Sequence, residues 1–353
     1  MVPFDPDIFP SREGVFIVGG SVRDILLGSA PLDFDIAVAG DARTFAADLA
    51  STLNGRLVVL GKENKAVFRV VKNPHTFDIV PLFQAALAAD LGRRDFTINA
   101  MAYDLASAEI IDPFDARHDI TAQKIRLVDS RAFQKDPLRL LRAYRIGAAL
   151  GFEIEPDTRR AIQRDAHLIT AVAAERIQAE LIKLVGTPHS HAYLVQMVQD
   201  GLLEALIPEF SDLRDCVQNE YHQFDVLEHT LAAYKSLEAL LNKPEAHFLQ
   251  TGAQLYSHLD ADKTVNLKLA LLLHDIGKPA SKTVGRDQRV HFYGHGQKSA
   301  DRALDICLRL KFSRRAGQYI DFIIRNHLRP LFLFVAVQKQ DLKHKGLVRF
   351  FRK

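Results

Sequence analysis

The chain has few of the residues that build disulfide-bonded, cysteine-zinc or membrane-spanning proteins. Its 353 residues include two cysteines, three methionines and no tryptophan. Cys216 and Cys307 have no Cys-x-x-Cys neighbour, so neither a disulfide framework nor a cysteine zinc site is expected, and a reducing cytoplasm is the predicted location. The longest apolar runs, such as Leu269–Leu273, are far shorter than the ~20 residues of a membrane span. The acidic N-terminus does not match a signal peptide. We therefore expect no membrane partner.

The chain also lacks a strong excess of either charge. Its 46 Lys+Arg face 43 Asp+Glu, a formal net charge of +3. Any contact with RNA must therefore come from a local basic cluster rather than from the overall field. Residues 131–164 supply such a cluster, with eight basic side chains against four acidic ones. The cluster either contacts nucleic acid or forms a solvated helix face.

Two regions of different periodicity are present. Over the first third of the chain, β-rich runs such as Phe34–Val38 alternate with helical patterns such as Ala42–Leu53. This order predicts a sheet with helices packed on one side. From about Phe133 onward the pattern is helical, with almost no strand signal. We predict an α+β protein with an α/β head over residues 1–130, a helical neck over 131–208 and an all-α domain over 209–353.

Two segments of the head have the features of a phosphate-binding site. The first reads GGSVRD from Gly19 to Asp24, where a strand ends and a helix begins. Glycines at such a turn let backbone N–H groups approach an anion, and Arg23 can hold a triphosphate bidentately. The second segment begins with Arg93 and Arg94, which either face a phosphate or form surface ion pairs. A tight turn is the alternative for the first segment.

A pair of aspartates has the spacing of a metal site. Asp33 and Asp35 are expected on one strand, where alternate residues project from the same face about 7 Å apart. Two carboxylates placed in this way can bracket two Mg²⁺ ions, which activate a 3′-hydroxyl and stabilise a leaving pyrophosphate. A solvated acidic turn is the alternative. Asp78, in a later strand, is either a third acidic helper or an ordinary strand-edge residue, and we favour the second interpretation.

Together these segments resemble the class II tRNA nucleotidyltransferase and bacterial poly(A) polymerase family. The matching segments, in the order of the family, read VGGSVRDILLG, LDFDIAV, RRDFTINAMAYD and DPLRLLRAYR. The resemblance implies a polymerase-beta-like nucleotidyltransferase head in which Asp33 and Asp35 are catalytic and bind two Mg²⁺ ions. It also implies that Gly20, Arg23 and Arg94 bind the incoming nucleotide.

The resemblance further implies a segment that selects the nucleotide. Asp136 and Arg139 match the pair that reads the Watson–Crick edge of CTP or ATP. A carboxylate accepts from an exocyclic amine, and a guanidinium donates to ring nitrogen and carbonyl acceptors. On one continuous helix Asp136 and Arg139 would share a face, whereas Arg145 would end on the side opposite Asp136. The family pattern assigns both Arg142 and Arg145 to the nucleotide.

Two features depart from that pattern. Lys135 occupies a position where the family often has Glu, which affects the orientation of the selecting pair. The link from Asp78 to Arg93 is short and lacks the longer basic segment of many relatives that build a full CCA end. A short link resembles the CC-adding subtype, or enzymes that share the task between two proteins.

The rear region resembles the HD phosphohydrolase superfamily. The segment LALLLHDIGKP places His274 and Asp275 directly after an apolar helix. Further candidate ligands, in the order of that superfamily, are His229, His295, His327 and either Asp301 or Asp321. Imidazole and carboxylate donors suit Mn²⁺, Fe, Ni²⁺ or Zn²⁺, so this region is expected to hold a second divalent metal. The alternative is a helical scaffold that supports tRNA.

The expected function is transfer of CMP, AMP or both from CTP or ATP to the 3′ end of tRNA, with release of pyrophosphate. The expected partners are tRNA, CTP and ATP, and no protein partner is indicated. Poly(A) polymerase, which performs the same chemistry without tRNA, is the first alternative. An HD-type metal-dependent phosphohydrolase with a regulatory nucleotide-binding head is the second. The presence of both Asp33 and Asp35 disfavours a non-catalytic RNA-binding protein.

Overall fold

The computed structural model describes residues 6–61, 66–217, 225–247, 259–286, 288–340, 342 and 348. The chain divides into two compact units, Met1–Arg139 with Phe152–Ala161, and Leu140–Gly151 with Ile162–Lys353. Over the described ranges, no helix has both the length and the apolar character that crossing a membrane demands. The predicted division into three parts at residues 130 and 208 stays a prediction.

The first unit is built on a seven-stranded sheet in the order β3-β4-β5-β2-β1-β6-β7. Strands β2 and β5 run parallel, and the other neighbouring strands run antiparallel. Its strands are β1 (Val15–Val18), β2 (Asp33–Val38), β3 (Arg56–Leu60), β4 (Val67–Lys72), β5 (His75–Pro81), β6 (Ala102–Asp104) and β7 (Ile110–Ile111). A separate parallel pair joins β8 (Lys124–Ile125) to β9 (Glu153–Ile154). The helices up to residue 165 are α1 (Gly20–Leu26), α2 (Ala42–Leu53), α3 (Leu87–Gly92), α4 (Ala116–Thr121), α5 (Ala132–Lys135), α6 (Arg139–Leu150) and α7 (Pro156–Asp165).

The two faces of the sheet carry different kinds of residue. In β2, Phe34 and Ile36 are buried in the main core with residues of α2, whereas Asp33 and Asp35 are exposed on the opposite face. That opposite face also holds a smaller apolar cluster, which includes Leu91 of α3. The predicted packing of helices on one side describes α2 on the main core face, and α3 additionally covers part of the aspartate face.

The second unit is mostly helical. Its remaining helices are α8 (Ala174–Val185), α9 (Ser190–Gln199), α10 (Leu202–Leu206), α11 (Val226–Asn242), α12 (Pro244–His247), α13 (Ala261–Leu273), α14 (His295–Arg309), α15 (Arg314–Asn326) and α16 (Arg329–Gln338). Helix α11 begins at Val226, where a capping box between Asp225 and Glu228 satisfies the first backbone N–H groups. The unit is not wholly α-helical, since β10 (Lys282–Val284) and β11 (Val290–Phe292) form an antiparallel hairpin. Strands of three residues are too short for their periodicity to be read from sequence.

Candidate functional site

The two aspartates of β2 lie in the interior of the sheet, beside the glycine turn. Asp35 is opposite Val18 of β1 on one side and Asp78 of β5 on the other. The hydroxyl of Ser21 donates to the main-chain carbonyl of Asp33 and accepts from the N–H of Asp35, both at 3.1 Å. Helix α1 therefore begins directly against the strand that carries the two carboxylates.

Gly19 is the point at which the turn, a carboxylate and an arginine come together. Its φ of 77° lies in the left-handed region. A Cβ built on Gly19 would lie 2.5 Å from Nη1 of Arg94 and 3.3 Å from Oδ2 of Asp35. Any side chain here would displace the guanidinium. From the sequence we expected the contact at Gly20, the first residue of α1, but the closer approach occurs at Gly19.

Arg23 is held in place by two neighbouring side chains. Its Nε and Nη2 donate to Asp24 at 2.8 and 2.7 Å, and its Nη1 donates to Oδ1 of Asn99 at 2.6 Å. Asn99 in turn donates to Oδ1 of Asp95 at 3.0 Å. Arg23 thus links α1 to the RRDFTIN segment. Sequence analysis did not single out Asn99, because an amide in an apolar run carries no signal of its partner.

Arg93 and Arg94 share a buried carboxylate that sequence analysis also missed. Asp90 accepts from Nη2 of Arg93 at 2.7 Å and from Nη2 of Arg94 at 3.1 Å. Burial alone would raise the pKa of Asp90, but Arg94 and Arg93 outweigh it and hold that pKa below its ordinary value. The three- and four-residue spacing on a helix could have revealed these pairs. Nε of Arg94 is buried and has no hydrogen-bond partner among the described residues.

Asp136 does not lie on the helix that begins at Arg139. It ends α5 with an extended backbone, at φ −147° and ψ 97°. The expectation that Asp136 and Arg139 share a helix face was therefore wrong, and so was the angular argument that set Arg145 opposite Asp136. Arg139 instead donates to the main-chain carbonyls of Arg93 at 2.6 Å and Arg94 at 3.3 Å. The structure thus places Arg139 against the segment that carries the paired arginines.

Arg142 and Arg145 both reach a glutamate of α8. Nε of Arg145 is 2.9 Å and Nη1 of Arg142 is 3.7 Å from the carboxylate of Glu180, which is 6% exposed. Glu180 is 35 residues from Arg145 in sequence, so no local pattern predicts this contact. Lys135, at the position where the family often has Glu, pairs with Asp129. A role for Arg142 and Arg145 in binding nucleotide stays a prediction.

Asp78, considered as a third acid, is paired with an arginine. Nε and Nη2 of Arg69 donate to its two oxygens, each at 2.7 Å. Its strand, β5, is an interior strand between β4 and β2. The description of Asp78 as a strand-edge residue was therefore wrong, because it lies beside Asp35 within the sheet.

The histidines of the second unit converge on one buried carboxylate. Oδ2 of Asp275 is 3.0 Å from Nε2 of His274 and 3.5 Å from Nε2 of His229. Oδ1 of Asp275 is 3.5 Å from Nε2 of His295 and 4.0 Å from Nε2 of His327. Ligands of one ion at bond lengths of about 2.0–2.2 Å lie at comparable separations. Two groups of three donors, which share Asp275, are thus close enough to hold a metal ion.

Hydrogen bonds orient three of these imidazoles. Nδ1 of His274, His295 and His327 lies 2.7, 2.8 and 2.6 Å from a main-chain carbonyl oxygen, which directs each Nε2 towards Asp275. Both oxygens of Asp275 are buried without a hydrogen bond of normal geometry from any described residue, although Nζ of Lys278 is 2.8 Å from Oδ2. Burial alone would raise the pKa of Asp275, but His274 and Lys278 outweigh it and hold that pKa well below its ordinary value. A buried charged carboxylate among imidazoles fits a divalent ion.

Neither acid considered as the last ligand joins this cluster in the part of the chain that the structure describes. Asp301 lies 3.2 Å from Nη2 of Arg325, and Asp321 pairs with the same guanidinium. His327, the other candidate at this end of the chain, does lie in the cluster. The glycine after the His-Asp pair has a packing reason, since a Cβ on Gly277 would meet the main-chain nitrogen of Ser299 at 2.4 Å.

Comparison with known proteins agrees with this arrangement. Three family models match: the Poly A polymerase head domain over residues 15–126, the probable RNA and SrmB-binding site of polymerase A over 151–213, and the HD domain over 226–340. The solved Thermotoga maritima CCA-adding enzyme complexed with tRNA has the same fold, with a TM-score of 0.66 and 24% identity over 93% of this chain and 68% of that one. The fold and the site define a polymerase-type nucleotidyltransferase with an HD domain.

Two relatives show to which family of nucleotidyltransferases the chain belongs. The A-adding tRNA nucleotidyltransferase of Deinococcus radiodurans is 33% identical over 331 residues, which are 92% of this chain and 70% of that protein. The CC-adding tRNA nucleotidyltransferase of Synechocystis is 41% identical over 204 residues, 57% of this chain and 48% of that protein. The match to the second relative thus spans about half of its length. The chain belongs to the tRNA nucleotidyltransferase family, whose enzymes depend on divalent metal ions.

Proposed function

We propose that this chain transfers CMP or AMP from CTP or ATP to the 3′ end of tRNA and releases pyrophosphate. The observation that carries the proposal is the meeting of Gly19, Asp35 and Arg94 at one turn. Arg139, which we propose selects the base, donates to the main-chain carbonyls of Arg93 and Arg94 and so is bonded to the segment that carries Arg94. Relatives named for adding A or CC to tRNA support the same substrates.

Asp33 and Asp35 would hold two Mg²⁺ ions. Their exposed oxygen donors fit this ion, which keeps several waters and binds through one or two carboxylates and the substrate phosphates. Ions bound there would activate the 3′-hydroxyl of the RNA and stabilise the leaving pyrophosphate. The absence of a side chain on Gly19 lets the guanidinium of Arg94 lie beside Asp35, where it would meet the phosphates.

Gly20, Arg23 and Arg94 would hold the triphosphate. Asp24 and Asn99 already fix the Arg23 guanidinium, and Asp90 fixes that of Arg94. Arginines held in this way lose little side-chain freedom when an anion binds, so more of the contact energy is available for affinity. The backbone of Gly20 lies at the start of α1, where N–H groups favour an anion.

Asp136 and Arg139 would choose the base. A carboxylate at the Watson–Crick edge accepts from the amine of cytosine or adenine, whereas uracil and guanine present a carbonyl there. The N–H of Leu138 donates to Asp136 at 3.3 Å, and Arg139 donates to carbonyls, so both side chains would exchange these bonds for the base. Arg142 and Arg145 would complete the nucleotide-binding set on the helix that begins at Arg139.

Within this family we propose the CC-adding subtype. The link between β5 and α3 runs from Leu82 to Ala86 and contains no basic residue. Identity to the CC-adding relative from Synechocystis, 41% over 204 residues, supports the same subtype. The short link leaves no extended segment between Asp78 and Arg93 that could rearrange the site for a third nucleotide.

A nucleotide-incorporation assay tests both the function and the subtype. The full chain is given tRNA that lacks its last three nucleotides, or tRNA ending in CC, with CTP or ATP in separate reactions. We expect two cytidines on the first tRNA and no adenosine on the second. Adenosine on the second tRNA would reject the subtype, and long adenosine tracts on unrelated RNA would make the chain a poly(A) polymerase.

A second activity is favoured by the buried cluster around Asp275. We infer that His229, His274, Asp275, His295 and His327 hold a divalent transition metal ion. Such an ion can activate water against a phosphoester, as in an HD phosphohydrolase. Metal analysis of the purified chain and hydrolysis of bis(p-nitrophenyl) phosphate, compared with those of His274→Ala, test this. A chain that retains no metal and shows no hydrolysis would leave the second unit as a scaffold.

A further inference from the structure

The hairpin formed by β10 and β11 in the second unit carries a pair of stacked rings. Thr283 is opposite His291, and the N–H of Gly285 donates to the carbonyl of Arg289 at 2.8 Å, which continues the same register to the residue before β11. Alternate residues of a strand project from one face, so Arg289, His291 and Tyr293 follow one another along one face. The rings of His291 and Tyr293 agree with this, since their centroids are 5.0 Å apart and their planes differ by 15°.

The opposite face of the hairpin packs towards its own domain. Nζ of Lys278, a residue that is 7% exposed, lies 5.5 Å from the centroid of the Phe292 ring. The carbonyl oxygen of Phe292 lies 2.8 Å from Nδ1 of His295, so the strand that carries the stack leads directly into the Asp275 cluster. The face with the stacked rings is therefore the one that is turned to solvent.

The outward face combines an accessible ring with positive charge. Tyr293 is 72% exposed, so the side of its ring that does not face His291 is open to a ligand. Arg289, on the same face, is exposed as well. Residues 282–298 contain four Lys/Arg and one acid, a local excess of positive charge in a chain whose net charge is only +3. An open aromatic ring next to positive charge is complementary to a polyanion whose units carry flat rings.

We propose that the β10–β11 hairpin binds single-stranded RNA. A base stacks on Tyr293, whose ring is supported from its other side by His291, and Arg289 contacts a phosphate of the same strand. The bases of a duplex are stacked on one another, whereas those of a single strand are free to lie on an aromatic side chain. Stacking tolerates every base, so the hairpin holds RNA without selecting its sequence. This contact belongs to the second unit and goes beyond the proposed addition of nucleotides.

The first measurement locates the contact on the full chain. An octamer of uridine that contains 5-iodouridine is irradiated with the chain, because the iodinated base crosslinks to aromatic rings in contact with it. Trypsin cleaves after Arg289 and Lys298, so both stacked rings lie on the peptide of residues 290–298. We expect an RNA adduct on this peptide. Its absence at saturating RNA would overturn the proposal.

The second measurement is the dissociation constant of fluorescein-labelled octauridine, determined by fluorescence anisotropy. We expect Tyr293→Ala to bind about tenfold more weakly, because one stacked base loses its ring, and Tyr293→Phe to bind like the parent chain. Phe332→Ala is the matched control, since Phe332 is an aromatic residue of α16 that is 63% exposed, and it should leave the constant unchanged.

The dependence of binding on salt tests the part of Arg289. A contact with one phosphate of a single strand contributes about 0.7 to the slope of the logarithm of affinity against the logarithm of salt concentration. We expect Arg289→Ala to lower the slope by about this amount. Arg314→Ala, which removes an exposed arginine of α15, is the matched control and should leave the slope unchanged.

Two further outcomes would count against the proposal. Equal affinities of Tyr293→Ala and Phe332→Ala would show that no base stacks on the hairpin. A loss in Arg289→Ala alone would mean that the surface attracts RNA by charge only, which rejects the stack. The proposed function fails or stands separately, because Asp35→Ala should lose nucleotide incorporation and still form the crosslink at residues 290–298.

Discussion

The two candidate ion sites of this chain are built in opposite ways. Asp33 and Asp35 are exposed oxygen donors two residues apart on a single strand. Asp275 is 1% exposed, and its imidazole partners lie within or directly after four different helices. An open oxygen site suits an ion that arrives and leaves with the substrate phosphates, whereas a buried site rich in nitrogen suits an ion that stays.

The two sites also differ in the side chains around them and in the groups that hold those side chains in place. Around the aspartates, arginines are fixed by Asp90, Asn99 and Asp24, which leaves positive groups ready for phosphates. Around Asp275, carbonyl oxygens fix the imidazole Nδ1 atoms, which directs the Nε2 atoms to one place where a metal could bind. The arginines around Asp33 and Asp35 thus suit an anionic substrate, whereas the imidazoles around Asp275 suit a cation.

The largest expected effect separates the two sites by function. Asp35→Ala should lower nucleotide incorporation on the order of a thousandfold, because metal stabilisation of the transition state is worth several kcal/mol. The metal content of the second unit should not change. Single-turnover incorporation and elemental analysis of the same sample measure both quantities, and incorporation near the parent rate would refute the assignment.

The next effect tests the second site alone. His327→Ala should weaken retention of a transition metal ion by about a hundredfold, because a ligand is lost from a buried site. Asp321→Asn is the matched control, since Asp321 pairs with Arg325 outside the cluster. Metal content after dialysis against a chelator series measures retention. Equal loss of metal from both variants would show that His327 is not a ligand. We expect nucleotide incorporation to be unaffected in both variants.

A smaller effect is expected at the glycine turn. Gly19→Ala should lower kcat/KM for CTP by about 10- to 100-fold, because its Cβ would displace Arg94 by a fraction of an ångström or more. Gly28→Ala is a matched control, since Gly28 has a φ of +78° but no atom within 4 Å of its Cβ position. Both glycines have a positive φ, so a similar loss in both variants would remove the argument from Arg94.

The smallest effect concerns stability at acid pH. The lowered pKa of Asp90 means that its charged form is favoured in the folded chain, so its stabilisation is present above the ordinary pKa of about 3.9 and is lost as pH falls through the lowered value. Asp90→Asn should cost about 1–3 kcal/mol at neutral pH and less at pH 3. Urea denaturation at several pH values measures the difference, and a cost independent of pH would contradict this account.

Sequence patterns revealed the parts of each site that depend on local geometry. Alternation in β2 was enough to put Asp33 and Asp35 on one face, because a strand has a period of two. The expectation that Asp136 and Arg139 share a helix face failed at the same level, since three residues of spacing mean a shared face only if one helix contains both. The extended backbone at Asp136 broke that condition.

The sequence by itself therefore determined four local features and the family to which they belong. These features are the aspartate strand β2, the glycine turn before α1, the paired arginines and the His-Asp segment of the second unit. Only the tertiary structure decided that Gly19 contacts Arg94, that Arg69 engages Asp78, that Glu180 receives Arg142 and Arg145, and that His327 rather than Asp301 or Asp321 joins the cluster. The physical reason is range: local patterns report the chain's own backbone geometry over a few residues, whereas these contacts join segments that come together only when the chain packs its core.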